Sequence, residues 1–535
     1  MLLTVQERRP AAGKTRKAGG DRGGRLSDMA EVLDIVVVGG GINGAGIARD
    51  AAGRGLSVLL CEKSDLASAT SSASTKLIHG GLRYLEYYEF RLVREALIER
   101  EVLLRSAPHI IWPLRFVLPH NKGLRPAWMI RLGLFLYDHL GGRKLLPASA
   151  GIDLRHHPAG APLEADLRKA FVYSDCWVQD SRLVVLNAMD AAERGAEVLT
   201  RVECLSARRD GDHWRVVLRD CRNGAQREVA ARALVNAAGP WTAEFIEQRA
   251  GLNKGLPLRL VKGSHIVVPK LFEHAFPYIF QNPDGRIVFA IPYEDDFTLI
   301  GTTDVDFTGD PAEVAITAEE TRYLCDAVNA YFKRKISPDD VVWTYSGVRP
   351  LYDDAAESAA AATRDYVLQL DQGDGRAPLL SVFGGKITTF RRLAEHALAK
   401  LEDALGPLGA PWTAGAALPG GDMPDADFEG CLARFGQAHP WLPARLARRY
   451  LRNYGTRAER LLAGATALDG LGEHLGDGLY AAELGYLARH EWAETADDVL
   501  WRRSKLGLHV SDATKQKIAA WLAREGAAAV RQETA

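Results

Sequence analysis

Three glycines at fixed spacing, Gly39, Gly41 and Gly44, are the residues of this chain whose chemistry is most constrained. They follow the apolar run Asp34-Ile-Val-Val-Val and open a segment of helical spacing, Ile42 to Arg54. In that context Gly39 permits a tight turn, Gly41 lets the backbone approach a pyrophosphate, and Gly44 lets helix and strand pack closely. The free N–H groups and partial positive charge at the helix start then suit phosphate. A second strand, Ser57 to Cys61, leads to Glu62, where an acidic side chain binds ribose hydroxyls and repels a 2′-phosphate. Strand, turn, helix, strand and acid in that order point to a bound dinucleotide other than NADP. NAD and FAD both satisfy this much.

A second polar segment, Thr70-Ser71-Ser72-Ala-Ser-Thr-Lys-Leu-Ile-His79-Gly80-Gly81-Leu-Arg83-Tyr84, concentrates groups suited to a cofactor and a small anion. Its hydroxyls and glycine pair fit backbone and phosphate contacts, Arg83 offers a forked donor, and Tyr84 a phenol. The alternative is a polar surface loop. Two distant segments separate FAD from NAD by resemblance. Val235-Asn-Ala-Ala238-Gly239-Pro-Trp241 is similar to the strand end that returns to the dinucleotide in flavoproteins with two dinucleotide-binding domains. Ser381-Val-Phe-Gly384-Gly385-Lys386-Ile-Thr388-Thr389 resembles their last strand-to-helix turn, beside the flavin ring. FAD is therefore the expected cofactor. Its expected contacts are Gly39, Gly41, Asn43, Gly44, Glu62, Thr70, Ser71, Ser72, His79, Gly80, Gly81, Ala238, Gly239, Gly384, Gly385, Lys386 and Thr388.

Longer strings carry a closer resemblance. The stretches 39–48, 70–74 and 76–84, then 262–269 (Lys-Gly-Ser-His-Ile-Val-Val-Pro), 300–304, 343–351, 383–386 and 497–503 resemble the bacterial, quinone-linked, FAD-dependent glycerol-3-phosphate dehydrogenases. The match runs from about Asp34 to the end. It implies an α/β fold: a Rossmann-type FAD-binding domain interleaved with an antiparallel-sheet substrate domain of the D-amino-acid-oxidase type, followed by a C-terminal helical domain. It also implies oxidation of sn-glycerol 3-phosphate to dihydroxyacetone phosphate, with hydride passing to flavin and electrons onward to membrane quinone. Arg83, Arg349 and Lys386 would then be cationic contacts for the phosphate and the reacting hydroxyl region, with Arg364 a fourth. A phosphate monoester carries roughly two negative charges, so several cations fit it. His265 is the first choice of general base, because an unperturbed imidazole titrates near neutrality. An activated water or Lys386 is the alternative base, and Tyr84 and Thr303 would orient hydroxyls.

Around these residues the pattern is βαβ at the start, which implies parallel strands. Glu89 to Ser106 has helical spacing, and Trp112 to Leu118 reads as a strand. Strand-like runs recur at 213–218, 228–236, 265–268, 286–290, 298–300, 367–370 and 379–383. Glycines and prolines after Leu405 mark a linker, and the remainder has helical periodicity. The expected division is a disordered tail at 1–31, interleaved FAD-binding and substrate domains at 32–405, and a helical domain at 406–535 that caps the fold or forms a homodimer. The tail is basic but lacks the apolar core of a signal peptide, and Met29 is the expected working start. With 535 residues, 47% hydrophobic and a net charge of -1, the chain has a large core and no overall field that would favour nucleic acid. Six scattered cysteines without a C-x-x-C pair fit no metal site.

Quinone lies in a bilayer, yet no run of 18 apolar residues is present. The segment Leu124 to Tyr137, with Trp128, Met129, Phe135 and the flanking Arg143 and Lys144, has the composition of an interfacial element. The expected location is cytoplasmic, attached to the inner face of the cytoplasmic membrane. A helix buried beneath the flavin domain is the alternative. Three rival functions share these features: a glycerophosphate oxidase using oxygen, an amine or amino-acid oxidase on the same fold, and a flavin-binding adaptor or redox sensor without turnover.

Overall fold

The strand β1 (Leu33–Val38) carries Ile35, Val36 and Val37 with no exposed surface, as a central parallel strand covered on both faces requires. It pairs in parallel with β2 (Val58–Glu62), Val37 lying opposite Leu60, and α1 (Ile42–Gly53) makes the crossover. Small residues on α1 allow close packing. A Cβ added to Gly46 would lie 2.7 Å from the ring of Phe390, and one on Gly53 would lie 2.1 Å from that of Trp412. The computed structural model describes residues 32–121, 125–252, 257–352, 365–372 and 376–533. The basic tail at 1–31, Leu124 and Arg364 lie outside the described residues.

Two sheets dominate the described residues. The first runs Val367–Asp371, Leu379–Phe383, Gln226–Asn236, β1, β2, Glu197–Thr200, with an antiparallel arm of Val202–Asp210 and His213–Asp220 joined to Gln226–Asn236. The second is mixed and mostly antiparallel, with Leu258–Pro269 between Phe297–Gly301 and Trp343–Tyr352, and Ile111–His120 paired to Lys169–Val178. The chain passes from the first sheet to the second and back twice, so neither is contiguous in sequence. The helix α2 (Phe90–Ser106) and the strands expected at 213–218, 228–236, 286–290, 298–300, 367–370 and 379–383 all form within a few residues of their expected bounds.

Elsewhere the structure decides between expectations or departs from them. The candidate interfacial segment folds as α3 (Ala127–Leu140), with Leu134 and Tyr137 buried but Trp128, Leu132 and Phe135 exposed by 65%, 52% and 52%. It is not a helix buried all round. Strand Trp343–Tyr352 and helix α4 (Asp180–Glu193), which is buried along nearly its whole length, were not among the expected elements. The glycine- and proline-rich stretch after Leu405 is packed rather than free. Cβ atoms on Gly420 and Gly421 would meet the carbonyl oxygens of Tyr454 at 2.2 Å and Ser106 at 2.1 Å, so these glycines serve close backbone approach.

Beyond it, helices Phe428–Ala438, Ala444–Tyr454, Ala481–Glu491 and Asp512–Glu533 enclose their own apolar core around Tyr450, Leu484, Val499 and Ile518. Buried ion pairs, Arg182 with Glu491 and Arg503 with Asp65, tie them to the first sheet's surroundings. Among the described residues no helix is long and apolar enough to cross a membrane.

Candidate dinucleotide and substrate site

Gly39 has φ +112°, and a Cβ there would lie 2.4 Å from the carbonyl oxygen of Ala237. A Cβ on Gly44 would lie 1.9 Å from that of Gly39. Only glycine lets the turn close between β1 and the end of Gln226–Asn236. Gly41 precedes α1 without a side-chain cap, and the first turn holds no acidic residue. Its N–H groups and dipole are therefore directed at whatever lies beyond the turn, apart from Ile42 N–H, which donates to Ser71 Oγ at 3.0 Å. Glu62 accepts from Gly40 N–H at 2.7 Å and Ser64 N–H at 2.9 Å, and burial pushes its carboxyl pKa up.

A cavity of about 540 Å³ opens at this point. Gly39, Gly41, Asn43, Glu62, Thr70, Ser71, Ser72, Ala238, Gly239, Gly384 and Gly385 all line it, which brings together residues from five separate segments. Asn43 Nδ2 donates to Gly384 O at 3.1 Å, while its Oδ1 is buried without a partner among the described residues. A bare helix start, an acid beside the turn and an unmet acceptor in a long cavity are the donor and acceptor set that a dinucleotide requires, and FAD fits it. His79, Gly80, Gly81, Lys386 and Thr388 do not line this cavity. His79 N–H donates to Thr388 Oγ1 at 3.3 Å, and Gly80 N–H to the Tyr137 hydroxyl at 2.7 Å.

The expected substrate residues fall into two groups. Lys386 Nζ sits 4.0 Å over the ring of Tyr84, on the short helix Leu82–Tyr87 that also carries Arg83. The second group lies on neighbouring strands of the mixed sheet. His265 faces Gly301 on one side and Tyr345 on the other, its ring stacked on Tyr345 at 4.6 Å and 13°. Its Nε2 is 3.0 Å from Thr75 Oγ1, and its Nδ1 is buried without a partner among the described residues. Burial, then the charges of Lys76 and Arg349, hold the imidazole pKa well below its usual value, so the ring is neutral. Arg349 pairs with Asp304 at 2.7 Å and donates to Thr303 O at 2.9 Å.

Thr303, expected to orient hydroxyls, is held against the sheet. It is fully buried, donates to Glu320 at 2.7 Å and accepts from Ser264 N–H at 3.0 Å. Glu320 belongs to a capping box with Thr317 and also pairs with Lys262 at 2.7 Å, so the hydroxyl's one donor is committed to structure.

Sequence reading missed the contribution of the C-terminal helices. Trp501, Arg502 and Lys505 line the same cavity as the glycine turn. Trp501 and Arg502 fall in a string noted for its resemblance, but Arg502 meets a partner 437 positions away, which no local pattern signals. The buried pair of Lys76 and Asp180, 2.9 Å apart beneath the Ser72–Thr75 loop, was also unforeseen.

The profile of the FAD dependent oxidoreductase family matches residues 34–391, and that of the C-terminal domain of alpha-glycerophosphate oxidase matches residues 412–527. The chain is 57% identical to a glycerol-3-phosphate dehydrogenase of Pseudomonas aeruginosa, over 93% of this chain and 96% of that one. It is 54% identical to a D-erythritol 1-phosphate dehydrogenase of Brucella abortus, over 92% and 98%. Among solved structures, a glycerol-3-phosphate dehydrogenase from Bacillus halodurans complexed with FAD superposes with a TM-score of 0.75 at 28% identity, covering 92% of this chain and 91% of that one. With its glycine turn, interleaved sheets and C-terminal helices matched along nearly their whole length, the chain belongs to the FAD dependent oxidoreductases, in the group of the glycerol-3-phosphate dehydrogenases.

Proposed function

We propose that this chain oxidises sn-glycerol 3-phosphate to dihydroxyacetone phosphate and that the electrons pass to a membrane quinone at the cytoplasmic face of the membrane. The observation that carries the substrate is the 57% identity to a glycerol-3-phosphate dehydrogenase over 93% of the chain. FAD, when bound, supplies the hydride acceptor. The protein's part is to hold the phosphate, orient C2 and take the hydroxyl proton. Arg83, Arg349 and Lys386 are the proposed cations, with Arg364 a fourth. Lys386 held over Tyr84 and Arg349 held by Asp304 are both restrained before any substrate arrives.

His265 is the proposed base. Its neutrality supports that role, since only the unprotonated ring can accept a proton. Acceptor, membrane attachment and a homodimer rest on family resemblance and on the exposed apolar face of α3.

A second reading is favoured by the D-erythritol 1-phosphate dehydrogenase at 54% identity: a longer polyol phosphate with the same phosphate-bearing end. Anaerobic stopped-flow mixing separates the two. Glycerol 3-phosphate is expected to bleach the flavin band faster than D-erythritol 1-phosphate, and the reverse order would transfer the reading to the longer substrate. Bleaching by amino acids alone would remove both. Under air, stoichiometric peroxide that added quinone does not suppress would make the chain an oxidase.

A further inference from the structure

The segment Glu62–Ser72 leaves β2 and crosses over the glycine turn. Ala67 N–H donates to Gly40 O at 3.1 Å, and Ser71 Oγ receives Ile42 N–H. Glu62, Ser64, Ala67 and Ser71 line the dinucleotide cavity, but Asp65 between them does not. Its carboxylate is taken up by the C-terminal helices. Arg503 donates to both oxygens, at 2.6 and 2.8 Å, and Arg502 Nε to one of them at 2.5 Å. Asp65 is 3% exposed and Arg503 is fully buried.

The arginines are themselves fixed. Arg503 Nε donates to Glu491 O at 2.9 Å, and Arg502 also binds Asp498. Asp498 in turn receives Arg201 at 2.6 Å and the N–H groups of Glu494 and Thr495, each at 2.8 Å. Arg502 reaches the cavity wall, while Trp501 beside it stacks on Trp343 at 4.4 Å.

A buried ion pair contributes little net stability over an apolar pair, because desolvation offsets the Coulomb attraction. What a forked arginine–carboxylate contact supplies is a fixed geometry. A segment already fixed over a ligand site loses less conformational entropy when the ligand binds.

We propose that Asp65 with Arg502 and Arg503 forms a latch by which the C-terminal helices hold Glu62–Ser72 over the dinucleotide cavity, making Asp65 and Arg503 positioning residues for FAD. The inference rests on the assignment of that cavity to FAD. The C-terminal region thereby acts on cofactor retention, without touching the substrate.

The test uses the full-length chain, stripped of FAD and titrated with FAD by flavin fluorescence. Asp65→Asn and Arg503→Lys are expected to raise the FAD Kd at least tenfold, while KM for glycerol 3-phosphate at saturating FAD moves less than twofold. Arg457→Gln removes the 2.7 Å pair with Glu193, which joins the same two parts of the chain away from the cavity, and is expected to leave the FAD Kd unchanged. An FAD Kd within twofold of the parent in folded Asp65→Asn, or an equal rise in Arg457→Gln, overturns the latch. Should Asp65→Asn fail to fold by far-ultraviolet circular dichroism, Arg503→Lys, which keeps the charge but loses the fork and lies off the cavity wall, decides by the same criterion. A parent chain that takes up no FAD refutes the cavity assignment itself, and the latch with it.

Discussion

As the proposed base, His265 must satisfy two demands that oppose each other. A general base works best with a pKa near the working pH, yet burial among cations lowers that of an imidazole. The balance has a measurable sign. The base is needed neutral, and its pKa lies below 6.5, so flavin reduction falls off on the acid side only below the ordinary imidazole range. The pH profile of the anaerobic reduction rate is expected to show its acid limb under pH 6.5. His265→Ala is expected to lower the rate by about 10²- to 10⁴-fold at unchanged FAD content, the usual contribution of general base catalysis. A limb above 6.5, or a variant reduced at the parent rate, would hand the proton to another group. Lys386 shows a related economy of means. Its contact with Tyr84 is worth about 0.5–2 kcal/mol and sets the ammonium in place.

Helix α3 turns Trp128, Met129, Leu132 and Phe135 outward while Leu134 and Tyr137 anchor it from beneath. Such a face is costly in water and suited to the acyl boundary of a bilayer. Flotation with anionic liposomes is expected to carry the parent chain upward and to leave Trp128→Asp/Phe135→Asp in the dense fraction. Equal flotation of both would remove α3 as the attachment. The composition of this helix was readable in the sequence, but its orientation was not, because that depends on tertiary packing against α2.

The same division recurs across the chain. Gly39, Gly41 and Gly44 were legible because their demands are local: one turn, one strand and one helix. Thr303 was not, because its hydroxyl is claimed by Glu320, 17 residues on. Asp65 is further from legibility still, since its partners lie at the other end of the sequence. Motifs disclose what a segment does with its neighbours, and buried charge pairs between distant segments leave no periodic trace.

Across the whole molecule, His109 offers its carbonyl to Arg452 of the C-terminal helices at 3.3 Å, and its ring is fully buried with neither nitrogen bonded among the described residues. Burial, then Arg182 and Arg452, push its pKa down to about 3. In the unfolded chain the ring takes up a proton below about pH 6.5. Between these values the unfolded state holds the extra proton, so stability declines as pH falls, by up to about 1.4 kcal/mol per pH unit for this one group. His109→Phe is expected to flatten the fall of Tm between pH 6.5 and 4, and an unaltered slope would exclude His109 as a source of acid sensitivity.

The back-and-forth path between the two sheets also governs how the protein is made. β1 waits for its partner Gln226–Asn236, and that strand waits for Leu379–Phe383. The cavity wall is complete only with Lys505. On the ribosome, the first half of the chain therefore emerges with unpaired parallel edges, the condition in which nascent sheets associate wrongly. The cavity itself draws its wall from both ends of the chain, Val38 to Lys505, so it is complete only when nearly the whole polypeptide has emerged.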